Sequence, residues 1–136
     1  MRTQAPRTIF NQRIGPHRTG AIGGAIVEEQ DIVYRGETYR WSKHHEFLKV
    51  VDLPMRRSVP FELATSVEGS DQALLERNRW RLQSPFVISK DPDSYREYIQ
   101  GSRGEFTVAK DQNIRLRSGW FSDRSACYLA AGRPVI

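Results

Sequence analysis

The chain of 136 residues has one cysteine, Cys127, which excludes an internal disulfide framework. A single thiol is typical of a reducing compartment, so we expect a cytoplasmic protein. No apolar run approaches the roughly 18 residues that a transmembrane helix needs, and no apolar signal segment follows the early arginines. Of three histidines, the adjacent pair His44 and His45 would point to different helix faces, so we expect no metal site.

Positive charge is in excess, with 21 Lys and Arg against 16 Asp and Glu, a formal net charge of +5. A basic balance raises nucleic acid as a partner. The densest local sets are residues 77–81, with three arginines, and residues 115–117, with two. No recognition helix or aromatic RNA-binding platform accompanies them, so the sequence favours a solvated surface over a nucleic-acid interface.

The first part of the chain is irregular in pattern. Residues 1–30 lack periodicity and are rich in Arg, Gly and Thr, which predicts an irregular or poorly ordered lead-in. In residues 31–41, apolar and polar side chains alternate on both sides of a turn at residues 35–37, which predicts a hairpin. A helix is then expected to begin with Ser42 as N-cap and to end at Pro54.

From residue 60 onward, strand and helix patterns alternate. Strands are predicted at 60–67, 80–89, 105–111 and from 133, with helices capped by Ser70, Asp91 and Ser122. This alternation predicts an α/β domain over residues 31–136, with a parallel sheet flanked by helices. Such sheets bind ligands at the carboxyl ends of their strands, near helix N-termini. Two positions qualify, the loop 110–122 and the helix that starts at Ser42.

The loop 110–122 and the helix after it carry groups suited to a nucleoside diphosphate. A helix N-terminus offers free backbone N–H groups and about half a positive charge. A cation, a close backbone approach and a stacking ring would complete the site. The candidates are Lys110, Ser118, Gly119, Trp120, Phe121, Ser122, Asp123 and Arg124. The alternative is that Ser122 and Asp123 only cap the helix and that Trp120 packs inside.

Two further residues have competing interpretations. Lys43 would stand in a basic first helical turn that faces a ligand, or else in a polar turn on a surface helix. Cys127 is expected to be a buried small apolar residue rather than a nucleophile, because no histidine partner follows it locally.

Three segments, "SKHHEFLK" (42–49), "PFELA" (60–64) and residues 91–136, resemble a bacterial family of glycosyltransferases of the GT-B type. The similarity covers roughly residues 31–136 and is most specific from Gly104 to Ile136. It ends in the Gly-x-Pro-Val-Ile pattern at 132–136. The resemblance implies part of a C-terminal, Rossmann-like domain that binds a nucleotide sugar.

For activity, the resemblance implies transfer of a sugar from a nucleotide-sugar donor to an acceptor hydroxyl, without a bound metal or other cofactor. Basic side chains and a helix N-terminus would stabilise the leaving diphosphate. The residues that match are Lys43, Lys110, Ser122 and Arg124. Many such enzymes hold the donor ribose with a helix glutamate, but that position here is Cys127. The ribose contact is therefore not carried over, and Asp123 is the nearest acid.

The resemblance also implies that the chain is a fragment, truncated at its C-terminal end and without the acceptor-binding domain. We therefore expect it to be inactive by itself. One alternative is a non-catalytic nucleotide-binding or interaction module. A basic nucleic-acid binder is the less favoured one.

Overall fold

The structure, a computed structural model, describes residues 31–136 and the backbone of residues 7–11. The strands in these residues are β1 (Arg7–Asn11), β2 (Ile32–Tyr34), β3 (Glu37–Tyr39), β4 (Phe61–Ala64), β5 (Arg81–Gln83) and β6 (Ser102–Glu105). The helices are α1 (His44–Leu48), α2 (Leu53–Arg56), α3 (Gly69–Arg77), α4 (Pro85–Ile88), α5 (Pro92–Gln100), α6 (Asp111–Arg115) and α7 (Asp123–Ala130).

The main sheet has four strands in the order β5-β4-β1-β6, and all of its pairings are parallel. Val135 extends it beyond β6 through a parallel bridge to Glu105. The Glu105 N–H donates to the Pro134 carbonyl, and the Ile136 N–H donates to the Glu105 carbonyl, both at 2.9 Å. The predicted α/β class with a parallel sheet is confirmed, and the last residues do begin to pair as a strand.

β1 falls inside residues 1–30, where the sequence predicted irregular structure. It pairs with β4 on one side and with β6 on the other, so Arg7–Asn11 depart from that prediction. A five-residue strand without clear alternation is identified only by its partners in the sheet. The rest of that range lies outside the described residues, and the division into a lead-in and a donor-binding domain stays a prediction.

The predicted hairpin is confirmed as β2 and β3, which pair antiparallel. Arg35 and Gly36 form its turn with φ of 51° and 77°. Two successive residues with positive φ make the tight turn whose twist matches that of antiparallel strands.

The helix predicted to run from Ser42 to Pro54 is wrong in its bounds. α1 ends at Leu48, and Pro54 lies in the first turn of α2 instead of ending a helix. Proline is tolerated there because a first-turn N–H has no helical partner to lose. Lys43 is the N-cap residue of α1, while the Ser42 hydroxyl accepts from the His44 N–H at 3.2 Å.

Three other bounds also differ from the sequence predictions. Ser70 lies inside α3, which follows Glu68. The strand predicted over 80–89 is β5 followed by the short helix α4. The strand predicted over 105–111 instead ends at Glu105 as β6, because pairing with β1 and Val135 occurs there.

The two helices with the fullest set of end signals are confirmed. Asp91 caps α5 by accepting from the Ser94 N–H at 2.7 Å, a bond that also lowers the pKa of this carboxyl. Pro92 occupies the first position of α5. α7 begins directly after Ser122, and Gly132, with φ of 68°, follows its end.

The main core lies between the sheet, α1 and α3. It contains the buried side chains of Phe47, Phe61, Leu63, Leu75 and Trp80. The Trp80 indole N–H donates to the Val51 carbonyl at 2.6 Å, so this large ring is buried with its polar atom satisfied. A smaller cluster around Ile99 and Tyr128 packs α5 against α7.

Gly104→Ala tests the close approach between β6 and the last residues. A Cβ at this position would lie 2.7 Å from the Pro134 carbonyl oxygen, so the strands must shift apart. We expect a loss of about 1–3 kcal/mol in the free energy of unfolding, measured by urea denaturation. The control is Arg103→Ala, an exposed position on the same strand. Equal stability of the two variants would contradict the close packing.

Candidate functional site

A buried ion pair joins the carboxyl end of β6 to the first turn of α7. The Arg124 Nε donates to the Glu105 Oε1 at 2.5 Å. The side chain of Glu105 is 0% exposed and that of Arg124 is 21% exposed. The pair therefore fixes the start of α7 beside the end of the strand, and it accounts for a charged residue in the sheet interior.

Lys43 brings a second cation to this end of β6. Burial, and after it the positive charges of Arg124 and Lys110, lower the pKa of its amine to about 8, while the carboxylate of Glu105 opposes the shift. Glu105, Lys110 and Arg124 are thus close enough to Lys43 for their charges to act on its amine, although Lys43 lies far from them in the chain. Because the folded pKa lies below 10.5, charged Lys43 destabilises the fold, and this cost falls as the pH rises from about 8 toward 10.5.

Each lysine lies over a tryptophan ring. The Lys110 Nζ is 3.4 Å from the centroid of Trp41, and the Lys43 Nζ is 5.6 Å from that of Trp120. The negative face of an indole attracts an ammonium group at such distances. The rings therefore help to hold both ammonium groups in place.

The segment before Lys43 is fastened to α6. The Arg40 N–H donates to the Asp111 Oδ2 at 2.9 Å, and the Gln112 N–H donates to the Arg40 carbonyl at 3.4 Å. Arg115 donates to the Thr38 carbonyl at 2.7 Å and also pairs with Glu37. These contacts connect the β2–β3 hairpin to α6, next to Lys110.

The loop before α7 lies open to solvent. Gly119 has φ of 69°, which suits glycine, and the Ser118 hydroxyl accepts from the Trp120 N–H at 3.3 Å. Trp120 and Phe121 are 52% and 55% exposed, so the alternative that Trp120 packs inside is wrong. Between this loop and the segment after β6 lies a cavity of about 80 Å³, lined by Thr107, Val108, Ala109, Trp120, Phe121, Ser122, Ser125 and Val135.

The remaining predicted residues lie around this cluster in different environments. Ser122 is the N-cap residue of α7, but its hydroxyl forms no capping hydrogen bond. The predicted capping by this side chain is therefore wrong. Asp123 is exposed in the first turn. Ser118 donates to the Asn113 side chain at 3.3 Å, so it also closes the loop onto α6. Cys127 is exposed, which corrects its assignment as a buried residue.

Two residues of the cluster were not predicted. Glu105 was predicted only as the first residue of a strand, and no local pattern around it marks its carboxylate as buried. Its Oε2 is buried and has no hydrogen-bond partner among the described residues. Trp41 carried no signal, since its role depends on where Lys110 folds.

No family model, no curated protein and no solved structure matches this chain. Within residues 31–136 and β1, no group of three His, Cys, Asp or Glu side chains is placed to hold a metal ion. None of the helices in the same residues is long and apolar enough to cross a membrane.

The arrangement is suited to an anion. The positive charges of Lys110 and Arg124 both act on the amine of Lys43, and Arg124 pairs with Glu105 at the end of β6. Partial burial strengthens the attraction of these cations for a negative group that enters. An anion there would also reduce the mutual repulsion that lowers the pKa of Lys43.

The ion pair itself is tested by Arg124→Met. This change leaves the carboxylate of Glu105 buried without its partner, so we expect a loss of about 3–5 kcal/mol in the free energy of unfolding. The control is Arg56→Met, which removes a more exposed pair with Asp52 and should cost at most about 1 kcal/mol. The double variant Glu105→Leu/Arg124→Met should recover most of the loss. Equal stability of Arg124→Met and Arg56→Met in urea denaturation would contradict this prediction.

Proposed function

We propose that this chain is the donor-binding part of a glycosyltransferase, in which the cluster at the end of β6 holds the diphosphate of a nucleotide sugar. The observation that carries the proposal is that the charges of Lys110 and Arg124 act on the partly buried amine of Lys43, where Arg124 pairs with Glu105 at the end of β6. The sequence resemblance implies the same three cations, together with Ser122, as contacts of the leaving diphosphate. A nucleotide-binding module without transfer activity is the alternative for the same site.

The strand order supports a Rossmann-like domain of the GT-B type. Numbered along the chain, the parallel strands β1, β4, β5, β6 and Val135 lie in the order 3-2-1-4-5. This is the order of doubly wound nucleotide-binding sheets, which bind ligands at the carboxyl ends of the strands where the order reverses. Here the order reverses between β1 and β6, and the cluster lies at the carboxyl end of β6.

The chemistry fits a leaving diphosphate. As the bond between the sugar and the diphosphate breaks, negative charge grows on the phosphate oxygens, and cations held in place lower the energy of that state. The free N–H groups at the start of α7 add to the field of Lys43, Lys110 and Arg124. The exposed rings of Trp120 and Phe121 are available to stack on the base. We assign no described residue to the removal of the acceptor's proton.

Lys110→Ala tests the donor site directly. The probes are UDP, GDP, ADP and dTDP, with binding measured by isothermal titration calorimetry. We expect at least one to bind in the low millimolar range or better, and the variant to bind it about tenfold more weakly, as for loss of a charge-assisted contact.

The control is Lys49→Ala, because Lys49 pairs with Glu46 on α1 and has no part in the cluster. Absence of binding by all four nucleotides, or equal affinities for wild type and Lys110→Ala, would overturn the site. The matching nucleotide sugars should bind as well. If diphosphates bind but nucleotide sugars do not, the module without transfer activity is favoured instead.

The titration of Lys43 predicts a pH dependence of binding. Since the pKa of this amine is about 8, it loses its charge as the pH rises through that value. Relative to Lys43→Arg, which stays charged, the wild type should lose about tenfold in affinity between pH 7 and pH 9.5, the value of one charged contact. Calorimetry on both proteins with the same diphosphate gives the ratio. An unchanged ratio would show that the charge of Lys43 does not act on the ligand.

A further inference from the structure

A basic pocket lies at the opposite end of the parallel strands from the cluster at β6. It has a volume of about 390 Å³ and is lined by Pro54, Arg57, Ser58, Val59, Pro60, Arg79 and Arg81. Pro60 directly precedes β4, and Arg81 begins β5, so the pocket is at the amino ends of these strands. It is therefore separate from the cluster at the carboxyl end of β6.

The core of the protein holds two of these arginines in place. Between Arg79 and Arg81 stands Trp80, which is 3% exposed and donates to the Val51 carbonyl. Trp80 is buried, whereas Arg79 and Arg81 on either side of it are exposed. Arg79 also has φ of 66°, a left-handed conformation that a side chain adopts only at some cost.

The arginines of the pocket lack carboxylate partners. Among the described residues, none of Arg57, Arg79 and Arg81 forms an ion pair. Arg56 shows the contrast, since it is held by both carboxylate oxygens of Asp52 and lies outside the pocket lining. Three guanidinium groups around one concavity repel each other, and a bound anion would remove that repulsion.

We propose that this pocket binds a small ligand that carries a diphosphate or two neighbouring phosphates. A planar guanidinium donates two parallel hydrogen bonds to phosphate oxygens, which is why arginine recognises this group. Three such cations match the charge of a diphosphate, and the volume is in the range of small-molecule sites, which is about 300–1,000 Å³. Pro54, Val59 and Pro60 supply the apolar part of the pocket lining. This site does not depend on the proposed glycosyltransferase function.

The experiment uses inorganic pyrophosphate as the probe and follows backbone amide and arginine side-chain signals by NMR. We expect the signals of Arg57, Arg79, Trp80 and Arg81 to shift with a single dissociation constant. Because pyrophosphate would also enter the other site, the titration is repeated in Lys43→Ala/Lys110→Ala. In that variant the shifts around Arg79 and Arg81 should persist with the same constant, whether or not the donor site exists. Their loss would overturn the proposal.

Variants then test the arginines themselves. Arg79→Gly removes one guanidinium and suits the positive φ at this position, so it should stay folded and bind pyrophosphate about tenfold more weakly. The control is Arg96→Gln, an exposed arginine of α5 that pairs with Asp93. Equal affinity of Arg79→Gly and Arg96→Gln would overturn the proposal. So would a single-stranded oligonucleotide that binds these residues more tightly as its length increases, because that marks a nucleic-acid surface.

Discussion

The contact between Glu105 and Arg124 is the interaction on which this end of the structure depends. A carboxylate that is 0% exposed at the end of β6 requires a cation, and the first turn of α7 supplies it. The pair therefore fixes the position of α7 and of the exposed loop before it. The pair also places the positive charge of Arg124 where it lowers the pKa of the Lys43 amine.

The basic character of the protein is not spread evenly over its surface. Several cations form pairs with nearby acids, such as Lys49 with Glu46 and Arg56 with Asp52. Among the described residues, Arg57, Arg79 and Arg81 at the amino ends of β4 and β5 form no ion pair. At the carboxyl end of β6, Arg124 pairs with Glu105, and the charges of Lys110 and Arg124 both act on Lys43. The scattered charges of the sequence thus become two concentrations of positive potential at opposite edges of one parallel sheet.

Local signals predicted some elements well and others poorly. The helix α5 was predictable because Asp91, Pro92 and Gly101 act within their own turn, and the β2–β3 hairpin because Arg35 and Gly36 set the turn. The bounds of β6 were not predictable in this way. They depend on pairing with β1 and Val135, which lie far away in the chain. The prediction that Pro54 ends a helix was wrong because proline both follows helices and occupies their first turns.

The sequence by itself determined the alternation of strands and helices, the parallel sheet that follows from it, and the choice of Lys43, Lys110 and Arg124 as candidate cations. These follow from periodicity, helix-end chemistry and residue type, which act over a few residues. Only the tertiary structure decided that the charges of Lys110 and Arg124 act on Lys43, that a buried Glu105 pairs with Arg124, and that Trp41 and Trp120 lie beside the lysines. Distances between residues far apart in the chain are set by how the whole sheet pairs and packs, and no local pattern encodes them.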